Sequence, residues 1–94
     1  VAALVKAPPR GAEAQLEAGK RYYELQRAGT LVQYPDTLVF PFWSLTCVYA
    51  ETQRDAETYD RGFSVLKAKF GDNAAYKARL AYMAKTLEKL KSGK

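Results

Sequence analysis

The chain has 94 residues, 15 basic and 10 acidic, for a net charge of +5, with one cysteine and no histidine. A chain this short is one small domain with little stability to spare. A lone Cys47 makes no internal disulfide, and without histidine or a second thiol it makes no zinc, haem-histidine or iron–sulfur site. No metal or cofactor is therefore expected.

Residues 1–11 read as an extended arm. Pro8-Pro9 enforces extended backbone, and Gly11 loosens the chain before any helix can start. A start at Val1 rather than methionine fits a chain trimmed or freed of a presequence, and a removed presequence points to an organelle or a secreted location. With a basic, cysteine-poor composition, the expected location is mitochondrial and inner-membrane associated, with a thylakoid-associated chloroplast location as the alternative.

Residues 12–94 read as a single helical domain. The first helix is expected over 12–28, where Ala, Glu, Gln, Leu, Lys and Arg dominate and Gly29 supplies a stop. Its apolar face is thin (Ala12, Leu16, Gly19 and Tyr23, with Tyr22 and Leu25 beside them). Lys20-Arg21-Tyr22-Tyr23 sets two cations beside two aromatics, the residue types that hold phosphates and stack on bases.

A connector follows, with Asp36 or Thr37 able to cap the next helix and Pro41 suited to its first turn. That second helix is expected to run unbroken over 42–70. Leu45, Tyr49, Thr52, Ala56, Tyr59, Phe63, Leu66 and Phe70 alternate at four and three, which keeps one face continuous. Gly62 offers a place for another helix to come close, and Gly71 marks the stop.

Asp72 and Asn73 cap the third helix, expected over 74–91, whose stripe is Tyr76, Leu80, Met83, Leu87 and Leu90. The segment 72–94 holds six basic and two acidic residues, so it carries +4 of the total charge and reads as a solvated lysine-rich face. The fold class is therefore all-α: an extended N-terminal arm, a short helix, then a long antiparallel helical hairpin.

Length then exposes a mismatch. At 1.5 Å per residue the second helix would run about 43 Å and the third about 27 Å. The third would stop near Gln53, leaving Trp43 to Ala50, and with it the apolar stretch from Phe40, beyond its reach. Phe40, Phe42, Trp43, Leu45, Val48 and Tyr49 are accordingly the candidate partner-binding residues. The uncharged run 37–50 has about 14 residues, short of the roughly 18 to 20 that span a bilayer as a helix.

Catalytic residues are not expected. Glu51, Asp55, Glu57 and Asp60 alternate with Arg54 and Arg61 in the manner of surface ion pairs such as Glu57 with Arg61. Cys47 lacks an activating base. The expected function is a small non-catalytic accessory or structural subunit that stabilises or bridges a larger assembly, an organellar membrane complex. Its expected partners are other protein subunits, with room for a peripheral or shallow membrane contact. The alternative is a basic helical nucleic-acid-binding module of the ribosome-associated kind.

Overall fold

A computed structural model of the chain describes residues 3–4, 10–29 and 32–93. The described residues form four α-helices: α1 (Ala12–Arg27), α2 (Val39–Thr52), α3 (Ala56–Phe70) and α4 (Lys77–Lys91). Short 3-10 turns at Asp36–Leu38 and Ala74–Tyr76 lead into α2 and α4. The all-α class holds. Most of the expected arm lies outside the described residues. Its described pair Ala3–Leu4 (β1) runs parallel to Val32–Gln33 (β2), with Ala3 opposite Val32 and Leu4 opposite Gln33.

The single helix expected over 42–70 is two helices. The stripe of apolar residues runs through residues 53–55, but the backbone turns there. Arg54 takes the left-handed conformation at φ 55°. Its N–H donates to the Glu51 carbonyl at 3.0 Å, while the Asp55 N–H reaches back to Ala50 at 2.9 Å. This pair of bonds is the Schellman arrangement, normally closed by glycine. Asp55 then starts the next helix, accepting from the Thr58 N–H at 3.0 Å and the Thr58 hydroxyl at 2.8 Å. A corner replaces the long rod. The acidic–basic run read as surface ion pairing contains the stop of one helix and the cap of the next.

The other boundaries follow local chemistry more closely. α1 ends at Arg27, and Gly29 at φ 72° donates its N–H to the Gln26 carbonyl at 3.1 Å. Pro41 sits in the first turn of α2, where a missing N–H costs no helical bond. Asp36 does not cap; its carboxylate lies 3.3 Å from Lys69 Nζ. Asn73 caps the turn into α4 by accepting from the Ala75 N–H at 2.9 Å. Gly71 keeps helical angles, so the stop after α3 does not use a left-handed glycine.

Packing runs between neighbours in the sequence: α1 on α2, α2 on α3, and α3 on α4. Two glycines bring α2 close to its partners. The Gly19 α-carbon lies over the Leu45 carbonyl, and Gly62 lies against Cys47 Sγ and the Trp43 ring. Phe42, Trp43, Cys47, Ala50, Tyr59, Leu66, Leu80, Met83 and Leu87 make up most of the core. The hairpin exists only as its α3–α4 half. Lys91 Nζ at the end of α4 lies 3.5 Å from Asp60 Oδ2 near the start of α3, as antiparallel pairing requires.

Candidate functional site

The fold-back at Asp55 changes the status of the six candidate partner-binding residues. Phe42 and Trp43 are interior, 1% and 6% exposed. Tyr22 and Tyr34 flank the Phe42 ring with centroids at 4.7 and 4.9 Å. The Trp43 indole N–H donates to the Tyr34 hydroxyl at 2.9 Å. Phe40 is half-buried between Tyr76 and Phe70, at 4.4 and 5.6 Å. Leu45 is half-buried beside Gly19, and Tyr49 is half-buried with its ring 5.2 Å from Tyr23. Val48 alone of the six is exposed, at 41%.

The expectation that 40–50 lies uncovered is thus corrected. It assumed one straight rod. Once the chain turns at 53–55, α3 lies along α2 and buries Trp43 and Cys47, while α1 covers another side. No helix among the described residues is long and apolar enough to cross a membrane.

The cation–aromatic run in α1 is also spoken for. Tyr22 is buried, and the Tyr23 hydroxyl donates to Asp55 Oδ2 at 2.9 Å. The Tyr22 ring is thus interior, and the Tyr23 ring is half-buried against Tyr49. The ion pairs described join separate elements, Arg27 with Asp55, Lys69 with Asp36 and Lys91 with Asp60, rather than Glu57 with Arg61 along one helix.

Among the described residues a groove lies where α2 and α4 diverge. Because α4 packs on α3, a groove opens between α4 and the C-terminal half of α2. One end is a small notch of about 30 Å³ lined by Val48, Cys47, Tyr59 and Met83, with Arg79 and Glu51 at its edge. The other is a depression of about 400 Å³ lined by Thr52, Arg54, Lys85, Thr86, Lys89 and Leu90. Glu51 and Tyr82 line both, so the two ends form one continuous surface.

Four cations therefore face one carboxylate along this groove. The Arg79 guanidinium donates to Ser44 Oγ at 3.1 Å and ties α4 to α2. Among the described residues Arg54, Lys85 and Lys89 take part in no ion pair. Tyr82 is 62% exposed, the most exposed large hydrophobic of the described chain.

Burial pushes the Cys47 thiol up to about 12, so it stays protonated and is no nucleophile. Burial likewise pushes the Tyr59 phenol up to about 12. Among the described residues no group of three histidine, cysteine or carboxylate side chains is placed to hold a metal ion. The groove offers fixed positive charge, two threonine hydroxyls and an apolar floor, which suits recognition.

Comparison with protein-family models, curated proteins and solved structures returns no significant match to this chain. Its function is read from the groove and the sequence.

Sequence reasoning missed this groove, although part of the signal is present. Arg79, Tyr82, Lys85 and Lys89 recur at three, three and four, which places an aromatic within a basic stripe on one helical face. Arg54 and Glu51 join them only because the chain turns after Thr52, a contact that no local pattern encodes.

Proposed function

We propose that the chain is a small non-catalytic accessory subunit that docks onto, and so stabilises or bridges, a larger protein assembly. The observation that supports it is the pairing of Val48 and Tyr82, 41% and 62% exposed, in a groove edged by four cations. Exposed aromatic and apolar side chains within a polar rim are the usual anatomy of a protein interface. The basic, one-cysteine composition favours an organellar membrane complex as the setting, with the chain at its periphery.

The test is gentle extraction from the source followed by native sizing, with wild-type chain and Val48→Asp compared. Wild type is expected to travel with a complex far larger than itself. Val48→Asp should be lost from that complex while circular dichroism shows unchanged helicity, because Val48 is already exposed. A wild-type chain that runs as a free monomer in gentle extracts removes the subunit role.

A second reading draws on Tyr82 and the basic stripe of α4. A nucleic-acid-binding module would use Lys85, Lys89 and Arg79 on phosphates and Tyr82 on a base. It predicts RNA or DNA binding that weakens steeply with salt, which the subunit role does not require.

A further inference from the structure

The charge and shape of the α2–α4 groove identify the chemistry of its occupant. We propose that the groove binds an acidic segment of a partner protein, with one apolar side chain seated against Val48 and Tyr82 and carboxylates held by Arg54, Lys85 and Lys89. The inference rests on the subunit role above and names the partner's chemical class.

The two ends of the groove differ in kind. The notch beside Val48 is floored by Cys47, Tyr59 and Met83 and admits little more than the tip of an apolar side chain. The larger depression is walled by Arg54, Lys85 and Lys89, with the Thr52 and Thr86 hydroxyls between them. Both hydroxyls already donate to helix carbonyls, Thr52 to Tyr49 at 2.6 Å and Thr86 to Tyr82 at 3.2 Å. The Thr52 oxygen also accepts from Gln53 Nε2 at 3.3 Å, which leaves it one further lone pair for a ligand backbone N–H.

Tyr82 stands one helical turn from Lys85 and about two from Lys89. A ligand that seats an apolar anchor against Tyr82 and runs along α4 therefore meets cations at the next two turns. An acidic residue three or four positions from the anchor, and another beyond it, match that spacing if the segment is helical.

Glu51 decides between a peptide and a nucleic acid. It sits at the junction of the two depressions, in the middle of the cationic track. A continuous phosphate backbone would pass a like charge there, whereas a peptide can set an N–H or a lysine opposite it. The groove also offers one exposed aromatic ring, where non-specific single-strand binding stacks successive bases on several.

The groove on the opposite flank of α4, lined by Phe63, Lys67, Lys77, Leu80 and Ala84, serves as a control. There the Lys67 ammonium already lies 6.0 Å from the centre of the Phe63 ring.

The experiment uses the full chain and fluorescence anisotropy with three labelled probes: a short glutamate-rich peptide with one central phenylalanine, its lysine-rich counterpart, and single-stranded RNA of similar length. The acidic peptide is expected to bind and the lysine peptide not to. Lys85→Glu with Lys89→Glu should weaken the acidic peptide by about tenfold or more, and Tyr82→Ala by about tenfold. Lys67→Glu should leave affinity within about twofold. Lys85→Gln with Lys89→Gln, whose helicity is checked by circular dichroism, should give an intermediate loss and excludes misfolding as the cause.

Failure of the acidic peptide to bind, equal binding by the charge-reversed chain, or preference for RNA overturns the proposal. If the acidic peptide fails while Val48→Asp still releases the chain from its complex, the subunit role stands and only the partner's acidic character is refuted.

Discussion

The Tyr23 hydroxyl donates to Asp55 Oδ2 at 2.9 Å, fastening α1 to the corner at which the chain leaves α2 for α3. The same carboxylate caps α3 through Thr58 and lies 3.4 Å from the Arg27 guanidinium. Partial burial alone would raise its pKa. The donors from Thr58 and Tyr23, together with Arg27, outweigh that and hold it below the ordinary 3.8.

Replacing Asp55 by Ala removes the cap and strands the Tyr23 hydroxyl, at an expected cost of about 1 to 3 kcal/mol. The depressed pKa adds a pH signature. A carboxylate more acidic in the folded than in the unfolded chain contributes stability that is complete above the unfolded pKa. That contribution is lost as pH falls through the folded pKa. Wild type should therefore lose an increment of stability below about pH 4 that Asp55→Asn, which keeps the capping oxygen, does not lose. Urea titrations at neutral and acid pH measure it. Parallel slopes for the two proteins would show that Asp55 ionises alike in both states.

The glycines at the two contacts of α2 are expected to resist alanine. In an open helix the change would stabilise by about 1 kcal/mol. Here a Cβ on Gly62 would sit 2.5 Å from Cys47 Sγ and 3.1 Å from a Trp43 ring carbon, and one on Gly19 would sit 2.6 Å from the Leu45 carbonyl oxygen. Net losses of about 1 to 3 kcal/mol are expected from each. Gly19→Ala should be the worse, because a backbone oxygen cannot rotate away. Cys47→Ala should relieve part of the Gly62→Ala loss, so the double variant should be more stable than the sum of the single effects. Additive losses would mean that Cys47 does not set the helix spacing.

Arg54 allows the opposite experiment. It occupies a left-handed position that costs an L-residue roughly 1 kcal/mol and costs glycine nothing. Arg54→Gly should raise the midpoint of unfolding while weakening binding of the acidic peptide, since it removes a groove cation. A variant that loses both stability and binding would show that the side chain itself supports the corner.

The interior place of Trp43 makes Trp43→Asp a test of the domain. Loss of the indole contacts and an unpaired carboxylate between α2 and α3 should cost more than about 4 kcal/mol, a large share of what a small domain has. The helical signal at neutral pH should fall across the whole chain. Survival of the α3–α4 half with full helicity would mean that it folds without α2.

The parts of this structure legible in the sequence are those decided within a turn or two. The span of α1 and its Gly29 stop, Pro41 in a first turn, the Asn73 cap and the close approach at Gly62 all follow from local chemistry. The corner at 53–55 was hidden for two reasons. Tyr49, Thr52, Ala56 and Tyr59 keep helical spacing through it, and the left-handed position holds arginine, where glycine is the usual signal. By sequence Asp55 is one more member of a charged run; the donors from Thr58 and Tyr23 that set it apart are a matter of tertiary placement. The groove lay further out of reach, because Glu51 and Arg54 meet α4 only after the corner has formed.

The neighbour-on-neighbour stacking of α1 to α4 also sets a clock. Contacts between elements adjacent along the chain close short loops, and helical domains with this topology fold in about microseconds to milliseconds. Productive encounters between dilute proteins are commonly slower than that. Folding of α1 to α4, which sets Val48 and Tyr82 in place, is therefore faster than such encounters. If the chain joins an assembly as proposed, that step is a collision between folded shapes, with a rate that scales with the concentration of the partner.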